Sequence, residues 1–184
     1  MNNIKVLEKK GLVNIWETYP NILLDIKYAT PDNLTWKILY KTSLCFLHKK
    51  AAKSLYSVQI ELEKEGLWLK IWDAYRPISV QKKLVAFVNN TQYTPSVSNH
   101  SKGISVDLTI INLQTKQEIK MPTKFDDLTN KAHQDALILD KTAFKNREKL
   151  KSIMKKYWFT VYPYERRHYD FLKLKHLEPL DIEI

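Results

Sequence analysis

The chain has one cysteine, three glycines and four arginines in 184 residues, and no apolar run of membrane-spanning length. Each scarcity excludes something. With Cys45 alone, neither an internal disulfide nor a cysteine-built zinc cage can form, so any metal must be held by histidines and carboxylates. Cys45 itself, in SLCFLH, reads as a small buried hydrophobe rather than a nucleophile. No stretch reaches the roughly 20 apolar residues of a membrane helix, and MNNIKVLEKKGLVNIWETYP lacks the apolar core of a secretory signal. A cytoplasmic protein with no membrane partner is expected. Repeats, low-complexity tracts and Gly/Ser linkers are absent, and Gly11, Gly66 and Gly103 each read as a turn. One domain over residues 1–184 is the expectation, with 44% apolar residues to fill its core.

The formal net charge of +10 raises the question of nucleic acid, because a basic surface attracts phosphate. Its distribution argues otherwise. The lysines are scattered along every segment, the only arginines are Arg76, Arg147, Arg166 and Arg167, and no helix-turn-helix, RNA-recognition or zinc-finger pattern occurs. Scattered lysine is a solvated surface, and no nucleic-acid partner is expected.

Periodicity supplies the elements. HKKAAKSLYSVQIELEKEG (48–66) places Ala51, Leu55, Val58 and Leu62 on one helical face, with Gly66 as a stop. LWLKIWDAYRP alternates as a strand through Leu67, Leu69 and Ile71 before a turn at Tyr75-Arg76-Pro77. A second helix follows at about 79–89 with Ser79 as its cap, and a third at 142–157 with Thr142 as its cap and Leu150, Ile153, Met154 and Tyr157 on one face. GISVDLTII alternates strictly, which sets Ile104, Val106, Leu108 and Ile110 against Ser105, Asp107 and Thr109 on the opposite face. A strand-like piece near 118–121 is expected to complete a hairpin with it, and WFTVYPY and HYDFLKL add two short β-runs. This irregular mixture predicts an α+β fold, a small antiparallel sheet packed with about three to four helices.

Five histidines must be explained. His48 opens the first helix, His133 lies on a helical-looking stretch and His176 in the polar tail. The other two have carboxylates nearby: His100 precedes Asp107 across Gly103, and His168 follows Glu165 in YERRHY. Two imidazoles and one carboxylate make a complete protein ligand set for a catalytic zinc, with a fourth position left for water or substrate. Glu165, three residues before His168, would then be the general base. Spacing alone also admits two ordinary hydrogen-bonded pairs.

SNHSKGISVDLT (98–109) resembles the Ser-x-His-x-x-Gly-x-(Ala/Ser)-x-Asp signature of VanX-type D-alanyl-D-alanine dipeptidases, zinc enzymes related in fold to the D-Ala-D-Ala carboxypeptidases and the Hedgehog signalling domain. DIKYATPDNLT (25–35), WDAYRP (72–77), MPTKFDDLTNKAH (121–133) and NREKLKSIMKK (146–156) are similar to further segments of the family, in its order, so the resemblance spans about residues 20–172. It implies zinc-dependent hydrolysis of D-Ala-D-Ala, with one zinc held by His100, Asp107 and His168. It also implies Glu165 as the base and Arg76 as the group that steadies the tetrahedral intermediate. Asp126 matches the position that takes the substrate's ammonium, and Ser98 and Tyr28 match further polar contacts to the dipeptide.

The resemblance departs at one place. The family's usual Trp-Trp between base and metal histidine is Arg166-Arg167 here, and Tyr164 stands where a small polar residue is common. Two obligate cations beside a dication are expected to weaken zinc binding or displace His168, or else one of them clamps a substrate carboxylate. Two alternatives follow: a related zinc peptidase acting on another D-amino-acid dipeptide or muropeptide, and a catalytically weakened zinc-binding module. The retained Glu165 and Arg76 argue against the second.

Overall fold

The computed structural model describes residues 3–89, 94–138 and 140–184. In chain order it runs through helix α1 (Asn3–Lys9), strand β1 (Leu12–Asn14), helix α2 (Ile15–Thr18), strands β2 (Leu23–Leu24) and β3 (Phe46–His48), helix α3 (Lys49–Glu63), strand β4 (Leu67–Asp73) and helix α4 (Ile78–Val88). Strand β5 (Ser105–Asn112), helix α5 (Lys141–Lys156), and strands β6 (Thr160–Tyr162) and β7 (Glu165–Asp170) complete it. The α+β expectation stands, with α1 and α2 as two short additions. Helices of seven and four residues are too short to show a periodic face in the sequence.

A five-stranded sheet in the order β2-β4-β5-β7-β6 forms the centre. It is antiparallel except at its edge, where β2 runs parallel to β4. A separate two-stranded ladder pairs β1 with β3. The stripe predicted for α3 is fully buried, and Gln59 ties that helix to the sheet by accepting the Leu69 N–H (2.8 Å) and donating to Glu63 (2.9 Å). Strand β5 is buried from Ser105 to Ile111, its polar residues included. The face that carries Ser105 and Asp107 is therefore not a solvated one.

Several local expectations change. Helix α4 begins at Ile78 after Pro77, which supplies no side-chain cap, and Ser79 instead donates its N–H to Asp181 (2.8 Å), whose carboxylate sits against the helix N-terminus. Helix α5 is capped by Asp140, which accepts the Ala143 N–H (2.9 Å), and not by Thr142. Asp caps a helix as well as Thr does, and Asp140 stands two residues before the expected Thr142. The piece near 118–121 makes one bridge, Glu118 to Ile111, rather than a strand. His133 follows a single 3-10 turn (Asn130–Ala132), and the run after Asp170 closes as another (Leu172–Leu174).

Gly103 joins the two sheets. Its carbonyl accepts the His48 N–H at the end of β3 (2.7 Å), its φ is +65°, and a Cβ there would lie 2.9 Å from the Leu12 side chain of β1. Gly66 shares the left-handed conformation (φ +68°) but faces open space. Gly66→Ala is expected to cost about 1 kcal/mol from backbone strain alone, and Gly103→Ala more, about 1–3 kcal/mol, because Leu12 must also move. Urea midpoints of the two variants check this; equal losses would mean that Leu12 yields freely.

Candidate metal centre and catalytic pocket

Residues 98–103 fold into a tight turn because both ends are satisfied locally. Ser98 Oγ accepts the His100 N–H (3.2 Å), and Gly103 terminates the 3-10 turn Asn99–Lys102 in the left-handed conformation. The turn buries His100 and aims its Nδ1 at the Ala74 carbonyl, 2.6 Å away. That nitrogen therefore carries the proton, and Nε2 presents a lone pair. His168 is fixed in the reverse sense: its Nε2 lies 2.9 Å from Asp170 Oδ1, which leaves Nδ1 bare. Asp107 lies directly opposite His168 in the β5–β7 ladder, so the two side chains are neighbours across adjacent strands.

The bare atoms converge. His100 Nε2 is 3.2 Å from His168 Nδ1 and 3.4 Å from Asp107 Oδ2, and His168 Nδ1 is 3.2 Å from Asp107 Oδ1. All three donors lie within 4.8 Å of one another. With each ring proton committed outside the cluster, lone pairs face lone pairs, and buried Asp107 Oδ1 has no hydrogen-bond partner among the described residues. A metal cation relieves this, or, in its place, a proton on His168 Nδ1 directed at Asp107 Oδ1 3.2 Å away. Burial disfavours a charged imidazole, yet Asp170 and Asp107 outweigh it and push the His168 pKa up to about 10. Burial likewise works against a charged Asp107, yet the imidazoles of His100 and His168 hold its carboxyl well below the usual range. The donor set, its tautomers and its electrostatics fit a divalent metal, and a His2Asp set is one that zinc accepts.

Arg76 lies beside this cluster with its guanidinium already held. Nε and Nη2 donate to Asp73 Oδ2 (2.9 and 2.6 Å), Nη1 donates to Gln81 (2.8 Å), and Nη2 is 3.6 Å from Asp107 Oδ2. Asp73 is completely buried and also accepts from the Tyr40 hydroxyl (2.7 Å). A cation fixed in this way needs no reorganisation when charge develops in front of it. Asp73, Tyr40, Gln81 and Asp170 were not singled out in the sequence. Asp73 had a signal, standing three residues before Arg76 in WDAYRP; the others come together only through tertiary contacts.

The Arg pair resolves differently at its two members. Arg166 turns away onto Thr123, to whose hydroxyl it donates (2.8 Å) and whose carbonyl it also reaches, and burial with the neighbouring Arg167 lowers its pKa to about 10. Arg167 stays at the pocket, 2% exposed, with Nη2 3.2 Å from Asp126 Oδ1 and 3.5 Å from Glu165 Oε1. His168 remains within the donor cluster, so the pair does not displace it. Asp126 has both oxygens engaged, since Oδ2 accepts the Leu34 N–H (3.0 Å). Burial outweighs the Arg167 charge there and raises the Asp126 pKa to about 6.

All eight residues expected at the site, Tyr28, Arg76, Ser98, His100, Asp107, Asp126, Glu165 and His168, line one cavity of about 230 Å³. Tyr28 is buried under the Arg76 guanidinium, 5.1 Å from ring centre to Cζ, and desolvation keeps its hydroxyl protonated. Ser98 has a structural duty as the cap described above, in addition to facing the cavity. The volume is below the roughly 300–1,000 Å³ typical of drug-sized ligands and suits a small one. Tyr164 is outside this lining and packs its ring 5.3 Å from His133.

Comparison with known proteins finds the following similarities. The family model described as D-ala-D-ala dipeptidase (Peptidase_M15) matches residues 8–177. A D-alanyl-D-alanine dipeptidase of Escherichia coli (strain K12) is 34% identical over 146 residues, covering 78% of this chain and 75% of its own. One from Enterococcus faecalis (strain ATCC 700802 / V583) is 28% identical over 187 residues, covering 89% and 93%. Among solved structures, a mutant of the vancomycin-resistance D,D-pentapeptidase VanY in complex with Zn(II) overlaps at a TM-score of 0.43 with 14% identity, covering 71% of this chain and 75% of its own.

Two outcomes are expected. Asp170→Ala frees the His168 ring and should weaken zinc binding about 10–100-fold in a chelator competition; unchanged affinity would show that Asp170 does not orient the ligand. The second concerns Asp126, whose carboxyl is pushed up to about 6 in the folded protein from an ordinary 3.8. Between those values the native state holds the extra proton, so ionised Asp126 opposes folding at neutral pH and the opposition fades as pH falls through 6 toward 4. Asp126→Asn, which keeps an acceptor for Leu34, should therefore gain stability relative to the parent as pH rises from 4 to 7. A difference between the two proteins that stays flat across that range would remove the assignment.

Proposed function

We propose the reaction of this chain from one premise: it belongs to the D-Ala-D-Ala dipeptidase family of M15 peptidases. It is a zinc metallopeptidase that hydrolyses D-alanyl-D-alanine to free D-alanine. The observation that carries the reading is the convergence of His100 Nε2, His168 Nδ1 and the Asp107 carboxylate in the wall of a small cavity that also holds a buried carboxylate and a pre-positioned arginine.

His100, Asp107 and His168 would hold one zinc. When bound, zinc supplies Lewis acidity, polarising a carbonyl and lowering the pKa of water toward neutrality. Glu165, 8% exposed and lining the same cavity, takes the proton of the attacking water as its oxygen adds to the scissile carbonyl carbon. It returns that proton to the leaving nitrogen as the C–N bond breaks, so one water is consumed and two amino acids are released. Arg76 faces the oxygen on which negative charge accumulates, and Asp73 and Gln81 hold it in place. Asp126, Ser98 and Tyr28 supply the polar lining for the ends of the dipeptide.

The same proposal has residues 1–184 as one domain and a cytoplasmic location. Supporting it are a core that runs from Leu7 to Ile184, a lone buried Cys45, and no helix among the described residues long and apolar enough to cross a membrane.

Release of D-alanine from D-Ala-D-Ala by zinc-loaded protein, followed before and after chelation, is the test. Glu165→Gln should lower kcat by about 10²–10⁴-fold while zinc binding is retained. Turnover that survives chelation would sink the metal reading, and full activity in the Glu165 variant would sink the assigned base.

A further inference from the structure

The pocket carries a cation that the reaction does not call on. Arg167 is almost wholly buried, yet of its guanidinium nitrogens only Nη2 has partners, and Nε and Nη1 have no acceptor among the described residues. Its ring contact, Phe125 with Cζ 5.1 Å from the ring centre, faces the cation without supplying an oxygen. A buried guanidinium with donors to spare lacks acceptors, which is what an incoming substrate can bring.

Asp126 shows the complementary condition. One of its oxygens takes the Leu34 N–H and the other takes Arg167. An ammonium arriving at this carboxylate must share each oxygen with a donor already there and meets a second positive charge within a few ångströms, in a cavity where charge is weakly screened. An ammonium is also donor-only and can do nothing for Arg167. An acylated nitrogen avoids the repulsion, and its carbonyl oxygen is an acceptor of the kind Arg167 lacks.

There is also space on that side. Leu34 and Asp126 line a second cavity of about 570 Å³ as well as the first, and Trp36, 79% exposed, and Lys124 are part of it. The two cavities share Leu34 and Asp126 as a common wall, on the side where a group attached to the substrate nitrogen would lie.

We propose that Arg167 is a specificity-determining residue that adapts this pocket to a D-Ala-D-Ala end whose amino group is acylated, as in a longer peptide, at least as well as to the free dipeptide. The proposal rests on the hydrolytic reading above and narrows its substrate class. Arg167 acts at the amino end of the substrate and takes no part in bond cleavage.

The test compares kcat and KM for D-Ala-D-Ala and N-acetyl-D-Ala-D-Ala in the zinc-loaded full chain, its Arg167→Leu variant and its Arg167→Lys variant. The parent should cleave the acetylated substrate with a kcat/KM equal to or above that of the free dipeptide. Arg167→Leu should shift the ratio toward the free dipeptide by at least about tenfold, mainly through KM, and Arg167→Lys should keep the parent ratio. A parent restricted to the free dipeptide, or a ratio unmoved in Arg167→Leu, overturns the proposal. If Arg167→Leu fails to fold, Arg167→Gln replaces it. If the parent cleaves neither substrate, the hydrolytic reading fails, and calorimetric binding of N-acetyl-D-alanine against D-alanine by parent and variant still decides the role of Arg167. No preference for the acetylated ligand in the parent would overturn it.

Discussion

Asp107 stands opposite His168 in the β5–β7 ladder, and the site is organised around that pairing. A cross-strand neighbour is held at fixed spacing by the backbone hydrogen bonds on either side of it, so two metal donors are placed without any loop having to find its geometry. The third donor, His100, sits on a turn whose two ends are anchored by Ser98 and Gly103, and Gly103 is itself bonded to the end of β3. A one-residue slip of β7 would send His168 to the other face of the sheet and dissolve the cluster.

Around that pairing the protein has concentrated charges that are costly to bury. Asp73, Arg76, Asp107, Glu165, Arg166, Arg167 and Asp170 are each at most 9% exposed. Removing one partner from such a pair costs about 3–5 kcal/mol, because the other is left buried and uncompensated. The arrangement is therefore rigid in composition as well as in position: each cation is matched to a carboxylate or a polar oxygen, as Arg76 is to Asp73, Arg167 to Asp126 and Glu165, and Arg166 to Thr123. What stability this forfeits is exchanged for groups that need not move during the reaction, since Arg76 and the two imidazoles are already oriented by neighbours outside the cavity.

Much of this was legible in the chain. The helix of residues 49–63 and the strands at 67–73 and 105–112 follow from apolar spacing, and the His-x6-Asp and Glu-x-x-His segments offered a metal set and a base by their chemistry. Less legible were the caps. Ser79 and Thr142 were good local choices, but Asp181, from the C-terminal tail, and Asp140 took up those helix ends, because a remote carboxylate or a slightly earlier start satisfies the same N–H groups. The Arg pair was the least legible. Adjacent in sequence and identical in charge, Arg166 and Arg167 go to Thr123 and to Asp126 with Glu165, a division that depends on where the 121–133 segment lies against β7.

By itself the sequence determined the class of chemistry: with one cysteine and two histidine–carboxylate segments, a metal could be held only by nitrogen and oxygen donors, and the elements that carry them announce themselves by their period. Tertiary structure alone decided the rest. It set which ring nitrogen is bare, which carboxylates stand behind the ligands, and that Arg167 rather than solvent faces Asp126. The physical reason is range. Periodicity and capping act between residues a few positions apart, whereas a tautomer or a buried ion pair is set by whichever groups the fold brings within about 3 Å, here separated by 26 residues for His100 and Ala74 and by 41 for Arg167 and Asp126.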